Sequence, residues 1–191
     1  MVSRVTDGSP NVVCCRDGEI VRIDPAKTRR AEGAKATMEI ANLLTPESVI
    51  AKLRATSKKQ ALQDLARRAA EITGQSERAI FSTLMKRERL GTTGVGNGIA
   101  IPHGKLASLD RLYGLFARLE HPIDFDAIDD RPVDLIFLLL APESSGADHL
   151  KALARVSRLL RDKTACAKLR GTDDAEALYA LLVDTTASWA A

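Results

Sequence analysis

The sequence predicts an α/β (α+β) fold: a small mixed β-sheet flanked by helices in a single compact domain, preceded by a disordered N-terminal leader. Three observations predict it. Capped helical periodicity runs over residues 57–74 and again over 76–91; strand-length apolar segments follow at 98–102, 111–120 and 132–142; and helical periodicity returns from 147 onward. The 191 residues fit one ordinary domain with a tail, and a core of that size needs no disulfide or metal to support it.

The elements follow in order. Residues 1–37 mix Gly, Pro, Arg and Asp without sustained periodicity, apart from a short alternation in "EIVRI", and read as the disordered leader, with Met38 as a candidate true start. In "TPESVIAKL", Thr45 as N-cap, Pro46 at the first helical position and Glu47 in the first turn predict a short helix. "SKKQALQDLARRAAEITG" opens on Ser57 and Gln60 in capping-box spacing; Ala61, Leu62, Leu65, Ala66, Ala69 and Ile72 trace one face before Gly74 stops it. "SERAIFSTLMKRERLG" repeats the logic with Ser76 as cap, Ile80, Phe81, Leu84 and Met85 facing inward, and Gly91 at the end.

Beyond the glycine-rich segment 91–105, "RLYGLFARLE" alternates as a strand does, and "PVDLIFLLLAP" is the nearly continuous apolar run of a strand buried on both faces. "GIAIP" is a shorter strand. The C-terminal third reads as helices: "ADHLKALARVSRLLRDK", with Leu150, Leu153, Ala154, Ser157 and Leu160 on one side, then "TACAKLRG" and "DDAEALYALLVD". Cys166 is a small core residue of the second of these, and His121, in "LEHPID", is a structural residue of a turn between strands.

Composition excludes several classes of function. Apolar residues make up 45% of the chain and charged residues 28%, as in soluble globular proteins, and no apolar run approaches the roughly 20 residues of a membrane-spanning helix. The formal net charge is +3, and residues 1–37, with seven Lys/Arg against five Asp/Glu, carry +2 of it. The nearly neutral remainder lacks the basic stripe that nucleic acid requires. Cys14, Cys15 and Cys166 form neither a disulfide framework nor a metal knuckle, which fits a cytoplasmic setting. His103, His121 and His149 show no metal-ligand spacing, so no metal and no cofactor is expected.

The segment "GTTGVGNGIAIPHGK" concentrates the chemistry. Glycine-rich loops often cradle phosphates, but the nucleotide fingerprints fail here. A Walker A loop needs a glycine six residues before its lysine, where this chain has Ile99, and Ser or Thr after it, where it has Leu106. Gly94, Gly96 and Gly98 are spaced G-x-G-x-G after a helix, not G-x-G-x-x-G between strand and helix. What remains is a glycine-shaped loop entering a short strand that delivers Pro102, His103 and Gly104. Pro102 fixes φ, and Gly104 leaves the imidazole face uncrowded. A neutral imidazole with one nitrogen tied to a carbonyl can use the other as a nucleophile.

This segment closely resembles the active-site segment of phosphotransferase-system enzyme IIA proteins of the mannitol/fructose type, nearest to their nitrogen-regulatory branch. The resemblance continues through "KRERLG", "PIDFDAIDDRPVDLIFLLLAP", "DHLKALARVSRLLRD" and "DKTACAKLRG", covering essentially residues 40–185. It implies a type-2 IIA domain over 38–187 in which His103 accepts a phosphoryl group, as tele-phosphohistidine, from a phosphocarrier of the HPr type. It further implies that Arg87, sixteen residues upstream, and His149, at the start of a later helix, complete the site. An arginine fork suits phosphate oxygens, and the first turn of a helix offers free N–H groups to the same oxygens. Arg89 competes with Arg87 for the arginine role, from a different helix face.

For the branch it resembles, the implied role is regulatory: the phosphorylated or unphosphorylated surface engages regulatory target proteins linked to nitrogen and potassium. The alternative is the IIA component of a fructose/mannitol-type sugar uptake system. A hydrolase or kinase lacks the nucleotide loop, metal site or nucleophile–base–acid series it would need.

Overall fold

The computed structural model describes residues 13–16, 19–22 and 40–187. The chain divides into two units, Met1–Thr37 and Met38–Ala191. In the first, β1 (Val13–Arg16) and β2 (Glu19–Arg22) pair antiparallel, and the alternation of "EIVRI" coincides with the second strand. The rest of the leader expected over 1–37 lies outside the described residues.

The second unit opens on a 3-10 turn at Ile40–Asn42 and another at Pro46–Ser48, then β3 (Val49–Leu53). The helix expected over "TPESVIAKL" is therefore limited to one turn. Thr45 donates its backbone N–H to Ser48 Oγ at 2.9 Å, but its own hydroxyl finds no hydrogen-bond partner. The β-branched Val49 and Ile50 then favour extended chain and pair in parallel with Phe116 and Ala117.

Helices α1 (Lys58–Thr73) and α2 (Glu77–Arg89) keep the expected caps: Ser57 Oγ accepts from the Gln60 N–H and Ser76 Oγ from that of Ala79. Gly74 ends α1 with φ +70°, the left-handed conformation a C-terminal cap needs. Strands β4 (Gly94–Gly96), β5 (Ile99–Ala100), β6 (His103–Leu106), β7 (Tyr113–Ile123) and β8 (Val133–Pro142) follow. Helices α3 (Gly146–Arg161), α4 (Lys163–Arg170) and α5 (Ala175–Ala187) close the unit.

The sheet runs β3-β7-β8-β5-β4, with β6 continuing along the same edge of β8 as β5. It is mixed: β3 pairs with β7 in parallel, β7 with β8 antiparallel, and β5 and β6 with β8 in parallel. Side chains of β8 alternate between two cores. Ile136, Leu138 and Leu140 meet Leu62, Leu65, Ile80 and Leu84 of α1 and α2, whereas Leu135, Phe137 and Leu139 join Val156, Leu159, Leu169 and Leu178 of the C-terminal helices. Helices thus cover both faces, which explains why β8 reads as one apolar run.

Two placements differ from expectation. His121 lies within β7, exposed, and not in a turn between strands. The extended backbone persists past Arg118, through an irregularity in its pairing with β8 before Ile123. The buried face of α3 is His149, Ala152, Val156, Leu159 and Leu160, so the expected stripe is displaced by one residue and Leu150 is left 66% exposed. One residue of slip rotates a helix by about 100°, since 3.6 residues make a turn. Cys166 is buried in the C-terminal core as expected, its Sγ donating to the Leu160 carbonyl.

Candidate functional site

The glycine-rich segment is a hairpin. Gly94 pairs with Ala100 and Gly96 with Ile99, so Asn97 and Gly98 form a two-residue turn, with φ +55° and +77°. Two consecutive positive φ values are the signature of a type I′ turn, for which Asn-Gly is the preferred sequence. The tip is held from three sides. Asn97 N–H donates to Asp129 at 2.8 Å, its carbonyl accepts from Arg170 Nη2 at 2.7 Å, and Gly98 O accepts the N–H groups of Asp134 and Leu135.

The other glycines make room for neighbouring chain. A Cβ on Gly94 would lie 2.8 Å from Ala127 Cα, and one on Gly96 would meet the Asp129 carboxylate. A Cβ on Gly104 would lie 2.6 Å from Thr83 Cγ2 of α2. Gly104 therefore permits close strand–helix approach.

His103 opens β6, opposite Leu139. Its two ring nitrogens have different partners: Nδ1 lies 2.9 Å from the Ile101 carbonyl, and Nε2 accepts from Arg87 Nε at 3.0 Å. A guanidinium can only donate, so Nε2 carries the lone pair and Nδ1 the proton. Burial lowers the pKa of His103 below its ordinary 6.5; the Ile101 carbonyl opposes this and Arg87 adds to it. The ring is neutral near pH 7.

Arg87 sits in the last turn of α2, where cations are favoured by the helix dipole. Its Nη1 donates to Gly91 O at 2.9 Å, folding the guanidinium over the helix end, and its Nη2 has no partner among the described residues. Arg89, two positions on, is exposed and makes no hydrogen bond or ion pair among them. Of the two arginines, Arg87 is the one that reaches His103.

His149, in the first turn of α3, stacks at a tilt against His103, with ring centroids 5.7 Å apart and planes at 53°. It is 6% exposed, and its Nδ1 is buried without a hydrogen-bond partner. Burial lowers its pKa, helped by His103 and Lys105. The structure thus brings His103, Arg87 and His149 together, while His121 lies elsewhere. Among the described residues no group of three or more His, Cys, Asp and Glu is placed to hold a metal ion.

The sequence reading missed Glu88. It is 8% exposed, at the end of the buried stripe Ile80, Leu84, Glu88. Its carboxylate accepts from Thr93 N at 3.0 Å and Thr93 Oγ1 at 2.6 Å, and pairs with Lys58 Nζ at 2.7 Å. Spacing carried the signal: 80, 84 and 88 lie on one helical face, so a carboxylate at 88 falls among apolar side chains. Burial works against the charge on Lys58, but the hydrogen bonds it donates to Glu88 and Asp126 outweigh it and raise its pKa.

With this geometry in place, the relatives of the chain are informative. Residues 42–184 match the family described as "Phosphoenolpyruvate-dependent sugar phosphotransferase system, EIIA 2". A nitrogen regulatory protein of Bradyrhizobium diazoefficiens is 61% identical over 145 residues, 76% of this chain and 95% of that one. One of Escherichia coli K12 is 42% identical over 150 residues, 78% of this chain and 92% of the other. The crystal structure of the nitrogen regulatory protein IIA-Ntr of Neisseria meningitidis superposes with a TM-score of 0.71 at 34% identity, covering 75% of this chain and 98% of that chain.

Proposed function

This chain belongs to the EIIA 2 family of the phosphoenolpyruvate-dependent sugar phosphotransferase system, and we propose that it is a phosphoryl carrier with a regulatory role in nitrogen metabolism, phosphorylated on His103 by an HPr-type phosphocarrier. The observation that carries this reading is the division of labour on one imidazole: Nδ1–H on the Ile101 carbonyl, the Nε2 lone pair under Arg87.

The step follows from these partners. As a phosphohistidine of the donor protein docks, Arg87 exchanges Nε2 for the phosphoryl oxygens. The Nε2 lone pair forms the new N–P bond while the donor's P–N bond breaks, its electron pair returning to the donor's ring nitrogen. Nδ1 keeps its proton, and the Ile101 carbonyl stabilises the positive charge that develops on the ring. A loose phosphoryl transition state needs positioning and charge stabilisation above all. Arg87, with Nη2 unengaged, and His149, whose ring centroid lies 5.7 Å from that of His103, are assigned to that task.

The regulatory role rests on the relatives named nitrogen regulatory proteins. Phosphorylation adds up to two negative charges at His103, changing which regulatory target proteins can dock there. No helix among the described residues is long and apolar enough to cross a membrane, and we assign the exchange between carriers to the cytoplasm. The sugar-uptake alternative draws on the family's description.

The test is incubation with phosphoenolpyruvate, the first phosphotransferase enzyme and an HPr-like carrier, read by intact mass and by phosphorus and nitrogen NMR. One acid-labile phosphoryl group on Nε2 is expected, absent in His103→Ala; equal labelling of that variant overturns the assignment. Rapid onward transfer to a sugar-specific IIB protein would overturn the regulatory role and leave the carrier role intact.

A further inference from the structure

We propose that buried Glu88, paired with half-buried Lys58, is a positioning device for His103, fixing which of its nitrogens is the nucleophile. The inference rests on the carrier reading above only for the meaning of "nucleophile"; the tautomer itself is measurable without any phosphoryl donor.

A continuous path of hydrogen bonds connects the pair to the ring. Glu88, held by Lys58, grips Thr93 through both its N–H and its hydroxyl. The Thr93 carbonyl accepts from Ile101 N at 2.9 Å, and the Ile101 carbonyl in turn receives His103 Nδ1 at 2.9 Å. Beside the pairing of β5 with β8, this path links the carboxylate directly to the carbonyl that meets Nδ1. Glu88 also directly follows Arg87, the group at Nε2, so the same anchor fixes the helix turn that delivers the guanidinium.

Stability alone gives no reason for the carboxylate. A leucine at 88 would continue the stripe of Ile80 and Leu84, and replacing a buried ion pair by well-packed apolar side chains is often neutral or stabilising. What an apolar residue could not do is hold Thr93 by two bonds of defined direction. Lys58 makes the burial tolerable, with its Nζ also 3.0 Å from Asp126 and 5.1 Å from the centre of the Phe125 ring.

The experiment compares Glu88→Gln, Thr93→Val and Thr93→Ser in the full chain. Glu88→Gln keeps size and one acceptor but loses the charge; Thr93→Val removes the hydroxyl; Thr93→Ser retains it. Nitrogen-15 NMR of the His103 ring reads the tautomer, and labelling by the phosphorylated HPr-like carrier reads the rate. Glu88→Gln and Thr93→Val are expected to raise the fraction of ring carrying its proton on Nε2 and to slow transfer about tenfold, with Thr93→Ser close to wild type. Folded Glu88→Gln or Thr93→Val with unchanged ring shifts and unchanged transfer would overturn the proposal, as would a Thr93→Ser chain as impaired as Thr93→Val. Should Glu88→Gln not fold, the two Thr93 variants decide. Shifted tautomers in a chain whose wild type never labels would refute the carrier function and leave the positioning standing.

Discussion

His103 and His149 face each other across 5.7 Å, yet the regions that present them are built differently. His103 stands on a strand paired to β8, behind a hairpin whose tip is bonded to Asp129, Asp134, Leu135 and Arg170, and both its nitrogens are engaged. His149 stands on the first turn of a helix that begins at Gly146 with φ +46° and receives no side-chain cap from Ser145; its Nδ1 has no partner. One half of the site is set before anything arrives. The other half carries a buried ring nitrogen without a hydrogen-bond partner, on a helix start that no side chain caps.

That contrast can be broken most sharply by kinetics. Arg87→Ala is expected to slow phosphoryl transfer to His103 by about 10²–10³, because it removes a preorganised charge from the transition state. His149→Ala, losing one neutral contact, is expected to slow it only about tenfold. Rapid-quench measurement of labelling compares the two, and equal losses would erase the distinction.

Packing provides a smaller effect in the same direction. Gly104→Ala pushes a methyl group against Thr83 and is expected to lose about 1–3 kcal/mol by overpacking, part of which returns when Thr83→Ser removes the Cγ2 that it meets. Gly146→Ala, with nothing within 4 Å of the new carbon, is expected to lose roughly 1 kcal/mol from backbone conformation alone. Urea denaturation measures both, and Thr83→Ser should leave the second loss unchanged.

The smallest expected effect is on pH dependence. Both histidines have folded pKa values below their ordinary 6.5, chiefly through burial. The unfolded chain therefore binds protons first as pH falls, so the contribution of these rings to stability is fully present above about pH 6.5 and is lost as pH falls through the folded values. Denaturant midpoints between pH 7.5 and 5.5 should decline less steeply in His149→Gln than in wild type. An identical slope would mean that His149 is not held neutral by the fold.

Much of the fold was legible because local chemistry and tertiary position agree. Ser57 and Ser76 cap the helices they appear to cap, and the apolar run of β8 is buried on both faces. Legibility failed where a local signal was real but short. Thr45, Pro46 and Glu47 do start a turn, yet Val49 and Ile50 gain more from parallel pairing with β7. In α3 the leucines are so frequent that two stripes one residue apart both look apolar, and only contact with β8 and α4 selects the one containing His149.

At the site, the segment 91–105 and its histidine stood out from the sequence, as did Arg87 through family resemblance. The reasons for its glycines did not. Asn97 and Gly98 signal a hairpin turn, but the sequence reading treated the glycines as loop shape. The need for Gly104 is visible only once Thr83 is seen across from it. Glu88 went unread because a charge in "KRERLG" looks like one more solvated helix end, although its spacing from Ile80 and Leu84 says otherwise.

The bond from Arg170 to the Asn97 carbonyl spans 73 positions of sequence, and β8, which lines up His103, ends at Pro142. During synthesis the histidine is therefore made 67 residues before the arginine that closes its hairpin tip. Only a chain extended through Arg170 of α4 can close the tip of the hairpin that precedes the imidazole.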